Sequence, residues 1–225
     1  MENESGMPKR ITKAAEINIR MMLSSVEFDA GSLEKIKNLK KPVIFALTHL
    51  SDWDITAFIF ALGNKTDIKA KIVQASSHNW KDDPLGAVRT AVAGSDNFLT
   101  ISYGSGKDKG IGQFRRDDYV PMVSAIENGY SIIIAAYHDR KEVGFNQKGV
   151  TLPKKGGGGM VYLAKKSGAP IVPVAVNMGP KWRDRAVITV GQEIYINENE
   201  GLRIGSDRVM SALAEMLPEE KQGLW

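Results

Sequence analysis

Cysteine does not occur among the 225 residues, which excludes disulfides, thiolate zinc sites and a cysteine nucleophile. Histidine is nearly as scarce. The chain holds three, which leaves few ligands for a catalytic zinc site, so no metal is expected. No apolar run approaches the ~20 residues that span a bilayer. Met1 to Lys9 carries acidic residues and no hydrophobic core, unlike a secretory signal, so a cytoplasmic protein is expected. Neither sign of charge dominates, with 30 Lys and Arg against 26 Asp and Glu. Basic residues are not interleaved with aromatics, so nucleic acid is not expected as a partner.

Several catalytic and nucleotide-binding patterns are also missing. No G-x-S-x-G elbow is present, so a covalent acyl-enzyme has no obvious nucleophile. Gly104-Ser105-Gly106-Lys107-Asp108 superficially suggests a phosphate loop. However, Asp108 follows the lysine and Ile101 stands where the first glycine belongs. The dinucleotide pattern G-x-G-x-x-G fails at Lys109.

What is present is an ordinary globular composition, 43% hydrophobic and 25% charged, long enough to bury one substantial core. Apolar strands are expected at Pro42 to Leu47, Lys71 to Ala75, Phe98 to Ser102, Ser131 to Ala136, Ile171 to Val176, Ala186 to Val190 and Glu193 to Ile196. Between them lie expected helices at Ser32 to Leu39, Asp52 to Leu62 stopped by Gly63, Pro84 to Ala93, and Asp117 to Asn128. Helices Gly159 to Ser167, stopped by Gly168, and Leu202 to Leu217 complete the set, and Gly104 to Gly112 reads as a glycine-rich loop. The alternation predicts an α/β fold, a central and mostly parallel sheet covered by helices. Ahead of it, Arg10 to Leu23 places Ile11, Ala14, Ala15, Met21, Met22 and Leu23 among Lys13 and Arg20, an amphipathic helix. Such a helix packs on its own domain or lies on a membrane surface. The expected division is an N-terminal helical segment over residues 1–40 and an α/β domain over 41–225.

Chemistry concentrates where the first strand hands over to a helix, at Thr48-His49-Leu50-Ser51-Asp52-Trp53-Asp54. Five helical steps turn about 500°, so His49 and Asp54 cannot share a face of one continuous helix. They converge if His49 lies in the turn and Asp54 in the first helical turn. Ser51 then reads as N-cap and Asp54 as the third helical residue, a capping box with Asp in place of Glu. In the functional reading Asp54 accepts a hydrogen bond from one imidazole nitrogen and leaves the other to remove a proton. Such a pair suits direct attack by a substrate hydroxyl.

These residues resemble the H-x-x-x-x-D motif of the glycerolipid acyltransferase superfamily, which includes lysophosphatidic acid and glycerol-3-phosphate acyltransferases. The family form N-H-x-S-x-x-D is matched at His49, Ser51 and Asp54, with Thr48 in first position. Pro170-Ile171-Val172-Pro173-Val174 resembles the family's P-[IV]-V-P-V strand. Lys154-Lys155 through Gly159, Leu163 and Ala164 resemble the helix entry before it. The block F-P-E-G-T-R falls on Ala135-Ala136-Tyr137-His138-Asp139-Arg140, where only Arg140 matches and Tyr137 replaces the glutamate.

The resemblance implies an acyltransferase that takes a fatty acyl group from acyl-CoA or acyl carrier protein, with no cofactor beyond that donor. The implied acceptor is a hydroxyl of a lysophospholipid or glycerol-phosphate-like molecule, and peripheral contact with the inner face of the membrane follows from such a substrate. His49 would be the general base and Asp54 its partner. Arg116, Arg140 and Lys155 would bind acceptor phosphate, and Tyr137 would shape the acceptor pocket. The alternatives are a non-catalytic lipid- or acyl-carrier-binding member of the same fold, and a metal-dependent hydrolase using His49, Asp52 and Asp54.

Overall fold

The computed structural model describes residues 25–40, 42–51, 53–75, 94–101, 116–137, 151–153, 155–178 and 185–225. The expected helices at Arg10 to Leu23 and Pro84 to Ala93, the loop at Gly104 to Gly112, and Arg140 lie outside the described residues. The described strands are β1 (Val26–Phe28), β2 (Ile44–Leu47), β3 (Ala70–Ala75), β4 (Phe98–Ile101), β5 (Ser131–Ala135), β6 (Ile171–Met178) and β7 (Ala186–Val190). They form one sheet in the order β1-β7-β6-β2-β5-β3-β4. From β6 to β4 every pairing is parallel, whereas β7 runs antiparallel to β6 and carries β1 parallel to itself. The helices are α1 (Ser32–Lys37), α2 (Asp54–Lys65), α3 (Arg116–Glu127), α4 (Gly159–Ser167), α5 (Leu202–Glu215) and α6 (Glu219–Gln222).

The central strands are apolar without alternation because both faces of the sheet are covered. All four residues of β2 are buried. Its Ile44 and Ala46 face a cluster built with Met122 of α3, Met160 and Leu163 of α4, and Val209 and Leu213 of α5. Its Phe45 and Leu47 face the other way, onto Ile36 of α1 and Phe58 and Leu62 of α2. Fully burying one such side chain is worth about 1.5–3 kcal/mol, so β2 is anchored from both sides.

Several boundaries differ from the sequence reading, for local reasons. Gly63 does not stop α2, which runs on to Lys65. The stop is Thr66, whose extended backbone leaves the helix while its N–H and Oγ1 both donate to Leu62 O, at 3.0 and 2.8 Å. The expected strand at Glu193 to Ile196 reduces to one bridge between Ile194 and Ile171. By contrast α4 spans Gly159–Ser167 as expected, closed by Gly168 at φ 66°. Residues 25–40 belong to the same sheet through β1 and α1. Ser32 Oγ accepts the Val190 N–H at 2.8 Å, and Lys35 Nζ donates to Val190 O at 2.8 Å.

The topology fixes where a site can form. From β2 the chain crosses through α2 to β3 on one side, and from β5 it crosses through α4 to β6 on the other. Connections leaving neighbouring strands in opposite directions open a crevice beyond their carboxyl ends. His49 follows β2 and Tyr137 follows β5, so both stand at that crevice.

Candidate active site

The turn after β2 is held by side chains from strands far away in sequence. Thr48 continues the ladder, donating its N–H to Val174 O at 3.0 Å. Its Oγ1 then accepts the Val176 N–H at 2.9 Å, so a side chain replaces the next backbone rung. The His49 N–H donates to Tyr137 Oη at 2.8 Å in a buried bond. One step on, Asp54 Oδ2 accepts the Leu50 N–H at 2.8 Å and the Ser51 N–H at 3.1 Å. Ser51 Oγ accepts the Trp53 N–H at 3.0 Å and donates to Met178 Sδ at 3.3 Å. The expected capping box does not form: Trp53 is the N-cap, without a side-chain cap bond, and Asp54 is the first helical residue rather than the third. Asp54 still reaches back to the Ser51 N–H, and Ser51 Oγ receives the Trp53 N–H, so the two side chains close the turn ahead of the helix instead of capping it.

Burial sets the electrostatics. His49 is 4% exposed and Asp54 1%. Burial pushes the Asp54 carboxyl up to about 7, against the opposing pull of the Ser51 hydroxyl, the Ser51 and Leu50 N–H groups and the Lys221 charge. Asp54 therefore changes charge near neutrality instead of near pH 4. Burial, then the Asp54 charge, raise the Tyr137 phenol well above its ordinary value, which keeps it a neutral hydroxyl.

The site has a second wall. Ala136 donates its N–H to Leu47 O at 2.9 Å, and its carbonyl accepts the Gly157 N–H at 2.7 Å. The glycine run before α4 is thereby bound to the end of β5. On its other side the run packs closely on α5, where a Cβ on Gly156 would lie 2.5 Å from Ser206 Oγ and 2.6 Å from Met210 Cγ. Lys155 is exposed, two residues before Gly157. Arg116 opens α3, whose amino end lies on the side of the sheet where the parallel strands finish.

Neither a family model nor a curated protein sequence matches the chain. Among solved structures it is similar to the 1-acyl-sn-glycerophosphate (LPA) acyltransferase PlsC from Thermotoga maritima. The TM-score is 0.54 at 12% sequence identity, over 95% of this chain and 84% of that one. The two share a fold. At that identity the likeness speaks for the sheet and its helices alone.

The structure thus brings His49, Asp54 and Tyr137 to one turn, with Tyr137 acting as a strut under it. The expected bond from the imidazole to Asp54 does not form: Oδ2 is taken by the Leu50 and Ser51 N–H groups, and the buried Oδ1 has no hydrogen-bond partner among the described residues. Sequence reasoning missed Lys221. From α6 it donates through Nζ to Asn177 Oδ1 at 2.5 Å and to Met178 O at 3.2 Å, at the end of β6. An isolated lysine on a short polar helix gives no signal of such a contact.

Proposed function

We propose that this chain is an acyltransferase that moves a fatty acyl group from the thioester of CoA or acyl carrier protein to an acceptor hydroxyl. The acceptor class is a lysophospholipid or a glycerol-phosphate-like molecule. The observation that carries the reading is a buried histidine and a buried carboxylate on one turn, at the carboxyl end of a central strand, in a fold shared with an acyltransferase.

In this reading His49 takes the proton of the acceptor hydroxyl as that oxygen attacks the thioester carbonyl carbon. The new C–O bond forms and the carbonyl electrons move onto oxygen. Collapse of the tetrahedral intermediate breaks the C–S bond, and the leaving thiolate takes the proton back from the imidazolium. Asp54, when ionised, stabilises that imidazolium. Because its carboxyl titrates near 7, transfer rises with pH through neutrality. Lys155, Arg116 and Arg140 are the cations proposed to meet the acceptor's phosphate through charge-assisted hydrogen bonds.

The test is acyl transfer from acyl-CoA and acyl carrier protein donors to a panel of lysolipid and glycerol-phosphate acceptors, with wild type and His49→Ala. Alanine keeps the backbone N–H that Tyr137 accepts, so the variant should fold while transfer drops by at least about a hundredfold. Substantial residual transfer would sink the role given to His49. Donor binding without product from any acceptor would identify a binding module instead.

A further inference from the structure

The sheet end beneath Asp54 is tied down from an unexpected direction. Lys221 Nζ holds Asn177 Oδ1 and Met178 O. Met178 Sδ in turn accepts the Ser51 hydroxyl, and the Ser51 N–H donates to Asp54 Oδ2. The segment carrying Lys221 is itself fastened. Leu152 N–H donates to Lys221 O at 2.9 Å, and Trp225 Nε1 donates to Pro153 O at 2.9 Å. A Cβ on Gly223 would lie 2.5 Å from Leu152 O, so the tail is pressed against this strip of chain.

We propose that Lys221 is a positioning residue for Asp54, acting both through the end of β6 under the Ser51 turn and through its own positive charge. The proposal rests on Asp54 being the working carboxylate of the site, and it adds a residue that neither motif contains. The titratable groups around Asp54 among the described residues are His49 on the same turn, Tyr137 from the end of β5 and Lys221 from α6. Of these it is the positive charge of Lys221 that favours the ionised carboxylate. Half-buried, it is screened less than a surface lysine would be.

The experiment follows the Asp54 carboxyl by carbon NMR across pH in the full chain, for wild type, Lys221→Met, Lys221→Gln and Lys221→Arg. Met and Gln should shift the Asp54 midpoint upward from its value of about 7, and Arg should hold it near wild type. Glutamine keeps a donor for Asn177 and Met178 without the charge, so it decides the matter if the methionine variant does not fold. An unshifted midpoint in folded Lys221→Gln overturns the proposal, as does Lys221→Arg titrating like glutamine. The measurement needs no turnover. A shifted midpoint in a protein that transfers no acyl group would leave Lys221 in its role and sink the functional reading, whereas active enzyme with an unshifted midpoint would do the reverse.

Discussion

Replacing Asp54 by asparagine should change how stability depends on pH, in a direction opposite to that of most carboxylates. Burial moves the Asp54 carboxyl from its ordinary 3.8 to about 7, a displacement of roughly three pH units at about 1.4 kcal/mol each. Because the folded-state value is raised, the stabilising share of this group is complete below about pH 4 and is lost as pH rises through about 7. The asparagine amide oxygen can still accept the Leu50 and Ser51 N–H groups, but it carries no charge to desolvate. Urea unfolding of both proteins at several pH values between 4 and 8 measures the difference. Wild type should lose up to about 4 kcal/mol relative to Asp54→Asn over that range. A flat difference would show that the carboxyl titrates near its ordinary value. A difference growing in favour of wild type would mean its charged form is the stabilised one, and the argument from burial would fail.

The remaining predictions concern the frame of the turn. Tyr137→Phe removes the acceptor of the buried His49 N–H and should cost about 1–3 kcal/mol in urea unfolding; unchanged stability would show that Tyr137 is no strut. Thr48→Val should cost a similar amount by orphaning the Val176 N–H, whereas Thr48→Ser, which keeps the oxygen, should recover most of it. Gly156→Ala should lower stability by about 1–3 kcal/mol through the clash with Ser206 and Met210. In contrast, Gly63→Ala, on an exposed helical position with open space around it, should add about 0.5–1 kcal/mol. Thermal unfolding of the two glycine variants side by side checks both signs.

Much of this architecture is written in local pattern. Ile44–Leu47, Ser131–Ala135 and Ile171–Met178 are apolar runs bounded by polar or turn residues, and each forms a strand buried in the middle of the sheet. The sequence also marks His49 and Asp54, because their spacing makes sense only across a turn. What escapes is whatever depends on distant partners. Val26–Phe28 is three residues long, with no periodicity to find, and becomes a strand only because β7 reverses direction and offers it an edge. Gly63 resembles a helix stop, but nothing forces the backbone to leave there, while Thr66 supplies a hydroxyl that closes the last turn. Tyr137 can be aligned to a site position, yet its bond to the His49 N–H joins residues 88 apart. Lys221 is less legible still, since its contacts on Asn177 and Met178 have no counterpart in any local motif.

The braced turn after β2 also has a consequence for the order in which the molecule assembles. Its supports lie 88, 127 and 128 residues downstream, on Tyr137, Met178 and Val176. Contacts of that separation cost loop entropy before they return anything, so they form late in folding. On the ribosome the turn is made early yet waits unbraced until β6 has emerged. An incomplete chain that carries His49 and Asp54 therefore lacks the braced turn, and the chemistry proposed for that pair awaits a nearly finished molecule.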